Sequence, residues 1–333
     1  MTVLRPGLKP IAVSLLLCAG FPGVSDDARA QDNYPDRAVR LVIPFAPGGQ
    51  TDIMARRYGA KVTPHLGQQV VPDNRSGAGG TIGSTEVARA KPDGYTLLMG
   101  TSSTHAINPT AMPKIPYDAV KDFSAISVLG TVSMSIVVHP SVPAKDLKQF
   151  VSQVKARPGQ YSYASTGIGG INHLGGELFK KQAGGLDIVH VPYKSSGLSL
   201  QDLMGGHIPM VIATLSSAMQ HHRDKRLRIL AVASDKRSAA APDIPTAIEA
   251  GVPDMIAYTF NVIVAPAGTP PAVVERLNNA TALVMRDDAF IKDLTALGVD
   301  PITSSNPQHA SDFIKKELAR WAPIIRATLT ETK

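Results

Sequence analysis

The sequence contains a single cysteine and lacks a long apolar run at its start. Cys18 lies within the first thirty residues, so the chain after them has neither a disulfide bond nor a thiol nucleophile. The apolar run at residues 11–21 is well short of the roughly 20 residues that a membrane-spanning helix needs. These absences argue against a disulfide-stapled fold, a cysteine-dependent enzyme and an N-terminal membrane anchor.

The motifs of common catalytic and cofactor sites are also missing. There is no G-x-S-x-G or H-E-x-x-H motif and no close group of cysteine and histidine. The nine histidines are scattered, and the adjacent pair His221 and His222 has a poor spacing for a metal. The glycine-rich segment 77–83 fails the dinucleotide pattern at Ile82, and no Gly-Lys-Ser/Thr follows it. We therefore predict that the protein is not an enzyme and that it holds no cofactor and no metal.

Positive charge is present but is not concentrated in one part of the chain. The formal net charge is +7, which slightly favours anionic partners. The basic residues are scattered, and only residues 221–228 form a cluster, which is typical of a solvated helix end. We therefore expect no nucleic-acid partner.

The first thirty residues have the organisation of a signal peptide. Basic residues precede the apolar run 11–21, and a small-x-small cleavage site ends at Ala30. Lipid attachment at Cys18 is not expected, because Leu17 stands where a small residue would be needed. We expect cleavage after Ala30 and a soluble, periplasmic protein.

The segment 41–52, Leu-Val-Ile-Pro-Phe-Ala-Pro-Gly-Gly-Gln-Thr-Asp, is the most informative part of the sequence. Its first three residues form an apolar run without alternation, typical of a strand buried on both faces. Gly48 and Gly49 allow a sharp turn and the close approach of a ligand. Thr51 is the predicted cap of a helix that ends before Pro64. A helix N-terminus after a glycine turn is an anion site, although an ordinary βα turn would have the same pattern.

Further loops rich in glycine and hydroxyl residues follow other predicted strands. They cover residues 74–83, 100–104, 165–173 and 192–197. In open α/β sheets, ligands lie at the carboxyl ends of the strands, which is where these loops are placed. For the loop 100–104, a cluster of helix-capping serines is the alternative interpretation.

Strands and helices alternate along the chain, as in doubly wound α/β sheets. With 333 residues, of which 44% are hydrophobic, the chain is long enough for two domains with sizeable cores. The loops form two sets, near residues 47–104 and 165–197. Two α/β lobes that face each other across a cleft would bring both sets to one ligand, with residues 126–138 as a crossing between the lobes.

A series of short motifs runs through nearly the whole chain after residue 30. They are Pro44-Phe45-x-Pro47-Gly48-Gly49-x-x-Asp52, Asn74-x-x-Gly77-Ala78-Gly79-Gly80-x-x-Gly83, Asp93-Gly94-Tyr95-Thr96-Leu97-Leu98, Ser165-Thr166-Gly167-x-Gly169, His173-Leu174-x-x-Glu177, His190-Val191-Pro192-Tyr193-Lys194, Asp202-Leu203-x-Gly205-Gly206, Pro242-Asp243-Ile244-Pro245-Thr246 and Ala265-Pro266-Ala267-Gly268-Thr269-Pro270. In this order they resemble the periplasmic substrate-binding proteins of tripartite tricarboxylate transporters, also called Bug receptors.

The resemblance implies a two-lobed α/β fold of the periplasmic-binding-protein type (type II, a Venus flytrap) with a ligand cleft between the lobes. Lobe 1 would comprise residues 31–133 and 258–333, and lobe 2 residues 134–257. The ligand would be a small carboxylate, which the receptor hands to the membrane permease subunits of the transporter. Dicarboxylates, tricarboxylates, aromatic carboxylates and amino acids all remain open.

The loops that match residues 45–51 and 165–169 hold a carboxylate in the family, partly through backbone N–H groups. The chain departs from the family pattern at Ser195, at Ala213 and Thr214, and around Phe260, where the far end of a ligand would be recognised. The predicted ligand-binding residues are Phe45, Pro47, Gly48, Gly49, Thr51, Asp52, Gly77, Ala78, Thr101, Ser102, Ser165, Thr166, Gly167, Gly169, His173, Tyr193, Lys194, Thr214 and Phe260.

Several of these residues have a simpler structural interpretation. Asp52 could bond its own helix turn, Tyr193 could pack, and Lys194 could be a solvated flank. His173 could cap a helix or face the core. For the whole protein, a monomeric transport receptor is the main hypothesis. A receptor that presents its liganded lobe to a sensor kinase would use the same pocket, and an enzyme would require side chains such as Ser165 to converge with an acid and a base.

Overall fold

The computed structural model describes residues 1–2, 33–112 and 114–331. The predicted signal peptide, with Cys18 and the cleavage site after Ala30, lies outside the described residues. The chain divides at Tyr34 and Pro35, and the architecture below is that of the unit Pro35–Lys333.

The unit is built from strands and helices in alternation, as predicted. The strands are β1 (Val39–Ile43), β2 (Val70–Asn74), β3 (Thr96–Thr101), β4 (Phe123–Val138), β5 (Tyr161–Ser165), β6 (Ile188–Pro192), β7 (Met210–Thr214), β8 (Arg228–Val232), β9 (Tyr258–Pro266) and β10 (Asp300–Pro301). The helices are α1 (Gln50–Leu66), α2 (Thr81–Ala88), α3 (Asn108–Ala111), α4 (Leu147–Ala156), α5 (Ile171–Gln182), α6 (Ser196–Met204), α7 (Leu215–Arg223), α8 (Pro271–Val284), α9 (Asp288–Ala296) and α10 (Pro307–Glu331).

The strands pair in two groups that share the long strand β4. In the first group the order is β2, β1, β3, β9 and β4, with β1 parallel to both β2 and β3 and with β9 antiparallel to β3 and β4. In the second group β4 is followed by β7, β5 and β6, and β8 also pairs with β4. Here β5 is parallel to β6 and β7, while β7 is antiparallel to β4.

The change of partner along β4 takes place between two adjacent residues. Ser133 is the last residue of β4 that pairs with β9, where it lies opposite Tyr258. Met134 is the first that pairs with β7, where it lies opposite Thr214. The segment 126–138, predicted as a crossing between lobes, therefore belongs to one continuous strand of 16 residues.

Helices pack on the strands and on one another through buried side chains. Helix α1 packs on α8, where the buried hydroxyls of Tyr58 and Thr281 lie 2.7 Å apart. On α10, Trp321 is fully buried, and the rings of Phe313 and Phe260 form an edge-to-face pair with their centroids 5.1 Å apart. The core thus includes side chains from the C-terminal helix, which is far from the central strands in sequence.

Two predicted helix boundaries are wrong. Helix α1 begins at Gln50, its N-cap is Gly49, and no side chain caps it, so Thr51 is not the cap. The helix also continues through Pro64 to Leu66. A proline near the end of a helix removes only one intrahelical hydrogen bond, and here Gly67, with φ of 80°, ends the helix by donating its N–H to the carbonyl of Thr63.

Helix α8 begins at Pro271, with Pro270 as its N-cap. The hydroxyl of the preceding Thr269 donates to the carbonyl of Pro266 at 2.8 Å.

Candidate functional site

The turn between β1 and α1 is organised around the carboxylate of Asp52. This side chain accepts hydrogen bonds from the backbone N–H of Gly48 and from the side chains of Arg56 and Asn74, each at 2.9 Å. Asn74, at the end of β2, also donates to the carbonyl of Phe45 at 3.0 Å. Asp52 is almost completely buried, with 4% of its surface exposed. The turn is thus tied both to its own helix and to the neighbouring strand.

The charge of Asp52 is stabilised by these donors. Burial raises the pKa of a carboxyl group, but the hydrogen bonds from Arg56, Gly48 and Asn74 outweigh burial and hold the pKa of Asp52 below its usual value. The side chain is therefore ionised, and both of its oxygens are bonded within the protein. This geometry agrees with the structural interpretation of Asp52, which shapes the turn.

The two glycines of the turn have different roles. Gly48 has a φ of 83°, in the left-handed region that favours glycine, whereas Gly49 has a φ of −78°. The N–H of Gly48 is bonded to Asp52, so it is not a free donor. The first intrahelical bond runs from Ile53 N to Gly49 O. The N–H groups of Gln50 and Thr51 precede that bond and have no intrahelical acceptor, as at the helix ends where anions bind in other proteins.

The glycine-rich loop 77–80 packs beside the turn. Its four residues, Gly77, Ala78, Gly79 and Gly80, all have positive φ values. A Cβ atom on Gly80 would lie 3.2 Å from the ring of Phe45 and 2.7 Å from the methyl of Thr104. The absence of that atom lets Phe45, half-buried, sit against the loop, so the structure brings these predicted residues together.

The loop after β3 is more deeply buried than its sequence suggested. Thr101 and Ser102 are 3% and 0% exposed. The hydroxyl of Thr104 accepts from the N–H of Thr101 at 2.9 Å, and the hydroxyl of Ser102 donates to that of Thr259 at 2.9 Å. Ser102 makes no side-chain capping bond, so the interpretation as a serine cap is wrong for this residue.

The second group of strands repeats the arrangement with a different set of residues. Ser165 ends β5, and its hydroxyl lies 2.7 Å from Nε2 of His190 on β6. The N–H of Gly169 donates to Nδ1 of His173 at 3.1 Å. Thr166 donates to Asn172 at 3.0 Å. Helix α5 begins at Ile171 with no side-chain cap, so a second uncapped helix N-terminus follows a glycine loop.

The predicted residues Tyr193, Lys194, Thr214 and Phe260 lie in different environments. The hydroxyl of Tyr193 donates to Asp202 at 2.8 Å, and Lys194 is exposed. Thr214 donates to Ser217 at 2.9 Å in the first turn of α7. The Phe260 side chain is fully buried against α10, so its ring lines the core and not an open surface. Adjacent residues of a strand point to opposite faces of the sheet, and Phe260 is on the face that points into the core. This corrects the prediction that Phe260 binds the ligand.

Sequence reasoning missed the residues on the other face of β9. Gln50, in the first turn of α1, donates from Nε2 to Oδ1 of Asn261 at 3.0 Å. Asn261 lies opposite Thr101 in the pairing of β9 with β3. The sequence carries one usable signal, because β9 alternates and Asn261 must face away from Phe260.

Metal and membrane features complete the description of the site. The part of the chain that the structure describes holds no group of three or more His, Cys, Asp and Glu side chains arranged for a metal ion. Within the described ranges, each helix is either too short or too polar to cross a membrane.

Lowering the pH from 7 towards 4 should destabilise the protein through His190. Burial and the neighbouring charges of His173 and Lys180 lower the pKa of His190 to about 4, although Glu177 opposes them. The unfolded chain takes up this proton near pH 6.5, whereas the folded chain does so only near pH 4. The unfolded state thus binds more protons between these values, and stability falls as the pH falls.

Urea unfolding at several pH values would measure this effect. We expect the replacement His190→Gln, whose amide can still bond Ser165, to make the dependence between pH 6.5 and pH 4 shallower than in the wild type. The exposed His65→Gln replacement is the matched control and should keep the wild-type slope. Equal slopes in all three proteins would show that His190 does not carry the dependence.

Comparison with known proteins places the chain among solute receptors. The family model described as "Tripartite tricarboxylate transporter family receptor" matches residues 54–329. Protein BugT of Bordetella pertussis is 37% identical over 303 residues, which are 91% of this chain and 92% of BugT.

Solved structures show the same architecture. The structure of R. palustris Rpa4515 with adipate has a TM-score of 0.78 and 34% sequence identity, and the match covers 89% of this chain and 98% of that one. MatC (Rpa3494) from Rhodopseudomonas palustris with bound malate has a TM-score of 0.75 and 31% identity, over 88% of this chain and all of the other. These receptors have two lobes, which confirms the predicted two-lobed α/β fold. The chain therefore belongs to the periplasmic solute-receptor family of the tripartite tricarboxylate transporters.

Proposed function

We propose that this protein is an exported receptor that binds a small carboxylate between its lobes and delivers it to the membrane permease of a tripartite transporter. One observation carries the proposal. Each group of strands presents a long helix, α1 or α5, whose N-terminus follows a glycine loop and has no side-chain cap. Free N–H groups at such ends attract anions, and two of them in facing lobes suit a carboxylate.

The lobes are proposed to divide at the change of partner along β4. Ser133 opposite Tyr258 would end lobe 1 (31–133 and 258–333), and Met134 opposite Thr214 would begin lobe 2 (134–257). The carboxyl ends of β3 and β7 both approach this point, since Thr101 lies opposite Asn261 and Thr214 opposite Met134. A hinge here would let the loops of both lobes close on one ligand.

A carboxylate ligand is supported by the chemistry of the loops and by the relatives. The solved relatives contain adipate and malate, which are both dicarboxylates. The anion sites in this chain are backbone N–H groups, hydroxyls and amides. Such neutral donors hold a carboxylate without a cationic side chain.

Catalysis is not part of the proposal. One serine–histidine pair lies in a candidate ligand loop, where Oγ of Ser165 is 2.7 Å from Nε2 of His190. The Ser165 hydroxyl is also bonded to Gly167, whose N–H donates to it at 3.2 Å and whose carbonyl accepts from it at 3.3 Å. These hydrogen bonds position the loop that follows β5.

Export is proposed from the sequence alone. The basic start, the apolar run 11–21 and the small-x-small site support a signal peptide that is cleaved after Ala30. The periplasm is also where a receptor for a membrane permease would meet its ligand.

A thermal-shift screen of the exported protein against a carboxylate panel tests the proposal. A ligand at 100 times its dissociation constant should stabilise the protein by about 2.7 kcal/mol. The panel would include adipate, malate, citrate, benzoate and aspartate, with adipamide as the uncharged control. Small-angle scattering with the best ligand should then show a smaller radius of gyration. If no carboxylate raises the melting temperature, the proposal is wrong.

A further inference from the structure

A group of neutral polar side chains lies where β3, β9 and the start of α1 meet. We call it the β3–β9 polar cluster. It consists of Gln50, Thr101, Ser102, Thr259 and Asn261. Asn261 is 1% exposed and Thr101 is 3% exposed, so both lie below the surface, beside the uncapped helix end described above.

Two atoms of the cluster have no hydrogen-bond partner among the described residues. They are Nδ2 of Asn261 and Oγ1 of Thr101. Other polar atoms of the cluster are paired with one another, since Gln50 Nε2 donates to Asn261 Oδ1 and the hydroxyl of Ser102 donates to that of Thr259. Buried polar atoms in proteins are nearly always hydrogen-bonded. Two unpaired atoms on adjacent strands, in register with each other, therefore indicate a partner from outside the chain.

The pairing with Gln50 decides what kind of partner fits. Gln50 donates to Oδ1 of Asn261, so the amide is held with its Nδ2–H groups available. Thr101 can also donate from its hydroxyl. The N–H groups of the first turn of α1 lie beside them and are donors as well. A group of donors without a carboxylate among its members fits a hydrogen-bond acceptor with negative charge.

We propose that Asn261 and Thr101 bind an oxygen of the ligand's carboxylate, and that Gln50 is a positioning residue that holds the Asn261 amide as a donor. The inference rests on the proposed function and adds the residues of lobe 1 that select the ligand. It also replaces Phe260, which faces the core, by its neighbour Asn261 as the residue of β9 that meets the ligand.

Two isosteric variants test the inference by calorimetry, with adipate and malate as probes. Asn261→Asp keeps the acceptor for Gln50 but loses the donor and adds a repelling charge, so the affinity for the probe should fall more than 100-fold. Thr101→Val removes an unpaired hydroxyl, so the affinity should fall about 10-fold. The ligand-free melting temperature of Thr101→Val should be unchanged or higher, because the wild-type hydroxyl has no partner to lose.

A positioning variant and a matched control separate binding from folding. Gln50→Met should weaken binding, because the Asn261 amide is then free to rotate. The loss should be smaller than in Asn261→Asp, because the amide donor is still present. Thr281→Val is the control, since the Thr281 hydroxyl is buried but bonded to Tyr58 and to the carbonyl of Leu277. It should lower the melting temperature and leave the affinity unchanged.

The outcomes distinguish the inference from the function on which it rests. A wild-type protein that binds neither probe, nor any member of the carboxylate panel, counts against both. If the wild type binds a probe and the Asn261→Asp and Thr101→Val variants bind it equally well, the inference alone is overturned. A Thr101→Val variant that loses affinity only together with a lower ligand-free melting temperature would also overturn it.

Discussion

Replacing Asp52 with alanine should abolish carboxylate binding and lower the free energy of unfolding by about 2–3 kcal/mol. The carboxylate accepts from Gly48, Arg56 and Asn74 and is almost fully buried. Without it, three donors lose their acceptor, and the turn loses the bond that holds Gly48 in its left-handed conformation. Calorimetry with the best ligand of the panel and urea unfolding would measure the two effects.

An exposed aspartate provides the control for this variant. Asp312 on α10 lies 3.6 Å from Lys315, and both side chains are more than half exposed. Such pairs contribute little to stability, so Asp312→Ala should leave affinity and unfolding essentially as in the wild type. If Asp52→Ala kept the wild-type affinity, the turn would be an ordinary connection between a strand and a helix.

Replacing Gly83 with alanine should destabilise the protein by about 1–3 kcal/mol, although alanine usually favours a helix. Gly83 lies inside α2, and a Cβ atom there would come within 2.8 Å of the carbonyl oxygen of Arg75 and 3.1 Å of Cα of Pro44. Both contacts are with backbone, which cannot rotate away. Pro44 precedes Phe45, so a shift of the Pro44 backbone would reach the turn between β1 and α1. We therefore expect weaker carboxylate binding as well.

A second helical glycine has free space around it and serves as the matched control. A Cβ atom on Gly197, in the first turn of α6, would lie 3.9 Å from its nearest neighbour, the hydroxyl of Ser195. Gly197→Ala should therefore be neutral or stabilising by up to about 1 kcal/mol. Equal stability of the Gly83→Ala and Gly197→Ala variants would contradict the assignment of Gly83 as a close-packing position.

Both predictions concern the turn between β1 and α1, which is held in place by residues of α1 and α2. Asp52 fixes the turn from the side of α1, and Gly83 allows α2 to lie against Pro44 from the other side. A ligand that is bound by backbone N–H groups requires the backbone to be in place before it arrives. The proposed receptor function therefore depends on residues that do not themselves touch the ligand.

The local units of this protein could be predicted from its sequence. The apolar run 41–43, the glycines at 48 and 49 and the helix after them depend on interactions within about a dozen residues. The same holds for the loop that begins at Ser165 and the helix α5. The two wrong boundaries of helix α1 also have local causes. At Pro64 the remaining bonds of a long helix outweighed one missing donor, and Thr51 was not needed as a cap because Gly49 occupies that position.

The partners of the site residues were decided by the tertiary structure. Asn74 reaches Asp52 across 22 positions and Gln50 reaches Asn261 across 211, because neighbouring strands and helices bring them together. The family resemblance implied that the loop 45–51 would offer backbone N–H groups to a ligand, but the N–H of Gly48 is bonded to Asp52. Periodicity predicts which elements form. Which side chains meet depends on the order and register of the strands, and here β4 sets that order by changing its partner between Ser133 and Met134.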